Sequence, residues 1–244
     1  MSAGLTLATA ARVLRQVRAD HRTVALLLVV PCMLIGLLAW VFQNTPVFNG
    51  IGAPLLGVFP FVVMFLVTSV ATLRERSSGT LERLLSTPLG KGDFLAGYAL
   101  AFGALAVVQA LVATAFAVWV CDLRVAGPVG LLVVVALFDA VLGTATGLFF
   151  SAFARTEFQA VQFLPAVVLP QFLLCGLLVP RDQLPAALRP VSDVLPLSYA
   201  VDAMRTLTAS PDAAGQVLAD VAIVAAFIVA AIALGSLTLR RRTP

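Results

Sequence analysis

One carboxylic acid, Asp139, stands inside an otherwise uncharged apolar run, Val129 to Phe150. Acids within the membrane are costly to keep there, and they default to a functional reading. Gln109 lies in the preceding run, Phe94 to Val120. At 1.5 Å per helical residue both side chains sit about 15 Å below the hairpin that joins the two runs. There they can hydrogen-bond as a structural clamp; the rival role for Asp139 is a titrating proton or cation relay. Gly143 and Gly147, one and two turns beyond Asp139, offer small-residue packing on the same face. Other chemistry is harder to assemble. The only histidine, His21, precedes the first apolar run, so neither a Ser–His pair nor a metal cluster can form within the runs. Cys32, Cys121 and Cys175 have neither a disulfide framework nor zinc-ligand spacing. They read as plain hydrophobes, with a dimer cross-link through Cys121 left open. The one Gly-Lys pair, Gly90-Lys91, is followed by Gly92 rather than Ser or Thr, and Leu85 stands where a phosphate-binding loop needs Gly. Any ATP, with its Mg, is expected on a partner; no cofactor is expected in this chain.

The elements that must carry these residues follow from composition. Hydrophobic residues make up 61% of the 244 positions and charged residues 11%, which a soluble core could not accommodate. The fold class is therefore all-α: a polytopic membrane protein, a single transmembrane domain with no soluble catalytic domain. Six spans are expected at about 24–42, 54–73, 94–120, 129–150, 161–179 and 221–239. The first run exceeds the apolar core of a signal peptide and leads into Gln43-Asn44-Thr45-Pro46, so it reads as a retained span. With the N-terminus inside, 12 of the 16 Lys and Arg residues fall in inner segments. Both termini are thus expected in the cytoplasm, and the excess charge reports topology rather than nucleic-acid binding. The strong preference for Arg over Lys hints at a GC-rich bacterium, and hence at a bacterial plasma membrane. Residues 1–23 form an amphipathic pattern, with Ala10, Val13, Leu14 and Val17 on one face and Arg12, Arg15, Arg18 and Arg22 on the other. That pattern suits a helix lying on the inner leaflet.

Between the second and third spans the chain reads RERSSGTLERLLSTPLGKGDF, from Arg74 to Phe94. Ser78 and Gly79 favour a helix start and Pro88 and Gly90 a stop, while Leu81, Leu84 and Leu85 share one face. A short helix of that kind needs a partner for its apolar side. The segment 180–219 is too polar to span, yet Leu195 to Met204 keeps an apolar periodicity.

The ERSSGTLERLLSTPL stretch, the LPLSYAVDAMR stretch before the last span and the amphipathic N-terminal helix together resemble the permease subunits of type-2 ABC exporters, especially the daunorubicin-exporter-like drug and lipid permeases. The resemblance covers nearly the whole chain. It implies that the 74–93 loop is a coupling helix docking an ABC ATPase subunit. Glu75, Gly79, Thr80, Glu82 and Leu85 match that family's pattern, and Leu81 and Leu84 lie on the same apolar face. Ser77-Ser78 departs from it, where an acidic residue followed by a variable one is common. The resemblance also implies a dimer of permease chains, identical or not, an extracellular re-entrant segment over 180–219, and a cavity lined by spans two and five. Phe59, Phe61, Gln162, Phe163 and Gln171 are then the candidate substrate contacts, for a hydrophobic or amphipathic cargo such as a drug or lipid moving outward. An ion-coupled transporter using Asp139 is the alternative, and an intramembrane enzyme a more distant one.

Overall fold

The computed structural model describes residues 2–43, 45–77 and 90–238. Helix α1 (Ala3–Ala19) precedes α2 (His21–Val41), α3 (Val47–Ser77), α4 (Lys91–Trp119), α5 (Val129–Ser151) and α6 (Glu157–Leu174). A single 3-10 turn (Arg181–Gln183), α7 (Arg189–Asp193), α8 (Pro196–Ala209) and α9 (Ala214–Thr238) complete the described order. Six of these helices, α2 to α6 and α9, are long and apolar enough to cross a membrane. The chain is an all-α, multi-pass membrane protein. The structure starts α9 at Ala214, earlier than its apolar run, and ends α6 at Leu174 rather than at Val179. There Gly176 takes φ +90°, a left-handed conformation that costs glycine little and turns the chain out of the helix.

Helix α3 is the centre of the bundle. In its most apolar stretch 72% of residues are buried against 17% for α2, so α2 is a peripheral span. The outward residues Leu26, Val29, Met33 and Leu37 of α2 form an apolar stripe that lipid tails or another chain must cover. The tightest pairing is α3 on α5. An added Cβ at Gly143 would meet the Phe61 carbonyl oxygen at 2.3 Å, and one at Gly147 would meet that of Phe65 at 2.6 Å. Residue numbers rise together along the seam, so the two helices run parallel, their backbones in contact through glycine notches.

The chain reverses sharply between α1 and α2 because Asp20 caps the second helix. Its carboxylate accepts from the backbone N–H groups of Arg22 and Thr23 and from the Thr23 hydroxyl at 2.7 Å. These bonds, led by the Thr23 hydroxyl, hold the Asp20 carboxyl below its ordinary range. Helix α8 does not simply lie over the bundle's end. Its Leu197, Ala200 and Val201 share a core cluster with Phe61 of α3 and Leu142 of α5, well along both spans. Its other end meets the α4–α5 connection, where the Gly127 N–H donates to the Leu207 carbonyl at 2.8 Å.

Candidate functional site

Helix α1 bridges the two flanks of the Arg74 to Phe94 loop. At one flank, Asp93 accepts from the backbone N–H of Ser2 at 2.8 Å and from the Thr6 hydroxyl at 3.2 Å. At the other, Glu75 accepts from Arg12 at 3.0 Å and from the Gln16 amide at 3.3 Å. Arg12 also donates to the Tyr98 hydroxyl at 3.3 Å. Gly97 lets α1 approach so closely that a Cβ there would stand 2.6 Å from Thr9. The buried face of α1 is Thr6, Thr9, Ala10, Val13 and Val17, while Leu7 points outward.

Beside this bridge lies a cavity of about 720 Å³, walled by α1, α2, α3, α4 and α6. Leu26, Leu66, Val67, Phe102 and Phe158 make it apolar, and Asp20, Arg74, Glu75 and Glu157 supply charge. Arg74 and Glu157 face each other in a two-pronged ion pair at 2.9 and 3.1 Å, joining α3 to α6. Sequence reasoning did not find this cavity. The available signal was the aromatic series Phe94, Tyr98 and Phe102 at helical four-residue spacing, whose rings follow one another at 4.4 and 6.1 Å along α4.

The expected Gln109–Asp139 bond is not made. Gln109 Nε2 instead donates to the Leu27 carbonyl of α2 at 2.8 Å. The reason lies in α2: Pro31 has no N–H, so the carbonyl four residues earlier, that of Leu27, loses its helix donor. Gln109 supplies the missing one from another helix. Replacing it with Leu buries that carbonyl unpaired, and Gln109→Leu is expected to lose about 1–3 kcal/mol in thermal unfolding of the detergent-purified protein. Asp139 faces another way. Its side chain is wholly buried, and its Oδ2 stands 2.3 Å from where a Cβ on Gly57 of α3 would be. Neither of its oxygens has a hydrogen-bond donor among the described residues.

The five candidate substrate contacts are divided between α3 and α6. Phe61 is fully buried at the α3–α5 seam and Phe59 is half-buried on the same helix. Gln171 is buried, its amide donating to the Val167 carbonyl of its own helix at 3.3 Å. Phe163 packs on Phe150, ring centroids 5.8 Å apart, and Gln162 is exposed on α6. None of the five lines the cavity between α1 and α6.

The profile of the ABC-2 type transporter family matches residues 5–209, from α1 through the end of α8. The chain belongs to that family. Among curated relatives, it is 26% identical over 148 residues to the probable multidrug ABC transporter permease YbhR of Escherichia coli, covering 61% of this chain and 40% of YbhR. It is 25% identical over 181 residues to the linearmycin resistance permease protein LnrN of Bacillus subtilis, covering 74% of this chain and 47% of LnrN. A third relative, ABC transporter G family member 20 of Dictyostelium discoideum, is 28% identical over 141 residues, 58% of this chain and 19% of that protein. The chain thus spans less than half the length of each of these relatives.

As an ABC-2 family member, the chain carries its coupling candidates on the loop that α1 straddles. Of these, Glu75 is engaged by α1 rather than left facing outward. Gly79, Thr80, Leu81, Glu82, Leu84 and Leu85 lie outside the described residues.

Proposed function

We propose that this chain is the membrane-spanning permease subunit of an ATP-driven exporter in a bacterial plasma membrane, both termini in the cytoplasm, moving a hydrophobic or amphipathic compound outward. Two such chains, identical or different, work with two ABC ATPase subunits that bind ATP and Mg; this chain hydrolyses none itself. The observation that carries the reading is the α1 bridge. A docked ATPase that displaces the Arg74 to Phe94 loop would pull on Glu75 and Asp93, and α1 ties both flanks into one unit with α3 and α4. The motion would then reach the two spans together rather than bend one of them. The names of the relatives, multidrug and linearmycin resistance, support a drug-like cargo. The apolar cavity with ion-paired carboxylates at its rim suits an amphipathic one. Ion-coupled transport through Asp139 is disfavoured, because that carboxyl is sealed from every surface of the chain.

The test is reconstitution. The purified chain should hydrolyse no ATP yet bind one specific ATPase subunit, and Leu84→Asp should abolish that binding while the protein still inserts and purifies normally. ATP hydrolysis by the isolated chain, or full ATPase binding by Leu84→Asp, would overturn the proposal.

A further inference from the structure

The two spans that follow α1 carry interior prolines, Pro31 in α2 and Pro54 and Pro60 in α3, and each strips a hydrogen bond from the carbonyl four residues before it. In α2 the carbonyl is that of Leu27, and Gln109 of α4 donates to it at 2.8 Å. In α3, Pro60 does the same to Leu56, a residue fully buried in the core. The carbonyl of Leu56 belongs to the peptide bond that joins Leu56 to Gly57. Asp139 lies against Gly57, its Oδ2 within 2.3 Å of where a Cβ on that residue would stand.

A carboxylate would be poorly placed here. At full burial it would have neither a hydrogen-bond donor nor an ion-pair partner among the described residues. An uncharged carboxylic acid has one O–H to give, and the residue next to Gly57, Leu56, carries the carbonyl that Pro60 deprives of its helix donor. We propose that Asp139 is a neutral hydrogen-bond donor to the Leu56 carbonyl that Pro60 leaves without a helix partner, and so secures the interrupted turn of α3 against α5. Asp139 is then a positioning residue, neither a relay nor a cargo ligand. Gly57 is part of the device, because any side chain there would push the acid off the peptide. The arrangement repeats what Gln109 does for α2, with an acid where the other helix uses an amide.

The inference stands whether or not the chain is an exporter, and its test needs no ATPase. Thermal unfolding in detergent is measured for the wild type, Asp139→Ala, Pro60→Ala and the double variant. Asp139→Ala alone should lower the midpoint by about 3–6 °C. In the Pro60→Ala background the same change should cost much less, because an alanine in place of the proline restores an N–H to the Leu56 carbonyl. The pair Gln109→Ala and Pro31→Ala calibrates the size of such a rescue. Asp139→Asn, which keeps a donor, should stay close to the wild type. An equal loss in both backgrounds would show only the cavity left by the smaller side chain and would overturn the proposal. Infrared difference spectra of the wild type against Asp139→Asn give a second readout that does not depend on any variant's stability. The proposal requires a carboxylic-acid C=O band assigned to Asp139, shifted to higher frequency in Pro60→Ala; a carboxylate band in its place would also overturn it.

Discussion

Gly143→Ala should prevent the bundle from assembling, leaving little monodisperse protein in fluorescence-detected size exclusion. One methyl group is enough, because the obstacle is backbone. The added Cβ would stand 2.3 Å from the Phe61 carbonyl oxygen and 3.0 Å from the Phe61 Cα and carbonyl carbon, none of which can rotate away. Helices α3 and α5 would have to separate by about an ångström along their whole seam, and overpacking of this kind costs about 1–3 kcal/mol or more. In a membrane no hydrophobic force pulls the pair back together, so lost van der Waals contact is not offset. Two comparisons isolate the cause. Phe61→Ala should not rescue Gly143→Ala, since trimming the ring leaves the oxygen in place. Gly103→Ala in α4, where nothing lies within 4 Å of the added carbon, should be tolerated and gain slightly in helix propensity. A well-assembled Gly143→Ala would mean that the two helices have room the seam does not display.

The glycine seam was legible in sequence as small residues four apart after Asp139, because that spacing repeats on one helical face whatever the partner is. The spans were legible for a similar reason: uncharged runs of about 20 residues have one common explanation. The partner of a polar side chain is a different matter. Gln109 and Asp139 are level with each other in a hairpin, yet depth fixes only one of the two coordinates that a hydrogen bond requires. Rotation about the helix axis was decided by Pro31, a residue in a third helix whose missing N–H created a stronger claim on the Gln109 amide. Glu75 shows the same limit. Its charge and place beside the loop suited an external partner, but the Arg12 and Gln16 side chains of α1 reach it first, 63 and 59 residues away in sequence. Amphipathicity grouped Ala10, Val13, Leu14 and Val17 on one face, as for a helix on the inner leaflet, and could not show that this face would pack on the bundle or that α1 would straddle both flanks of one loop.

Arg181→Ala should detach the segment after α6 from α8, with a penalty that depends on pH. The guanidinium lies between two carboxylates, donating through one terminal nitrogen to Asp202 and through the other to Asp193. Its Nε donates to Ser192 at 3.1 Å, and its central carbon stands 5.1 Å from the ring centroid of Tyr199. Gly176 makes the approach possible, since a Cβ there would meet the Arg181 stem at 3.2 Å. Such a fork cannot be replaced by an ammonium, so Arg181→Lys should recover only part of the loss. Asp202 is half-buried, and burial raises its carboxyl above the ordinary range even though the hydrogen bond from Arg181 draws it down. A raised acid favours the folded state below its unfolded value near 4 and loses that advantage as pH climbs through the folded value. Without Arg181 the folded value rises further, so the charged form is penalised over a wider span of pH. The variant should therefore be destabilised by about 1–3 kcal/mol at pH 7, and the deficit should shrink on acidification and level off below pH of about 4, once Asp202 is protonated in the unfolded as well as the folded state. Adding Asp202→Asn to Arg181→Ala removes the charge altogether, and should flatten the pH dependence while recovering much of the neutral-pH loss. A deficit in Arg181→Ala that is constant from acid to neutral pH would mean that the stem's packing, not its charge, holds α8 in place.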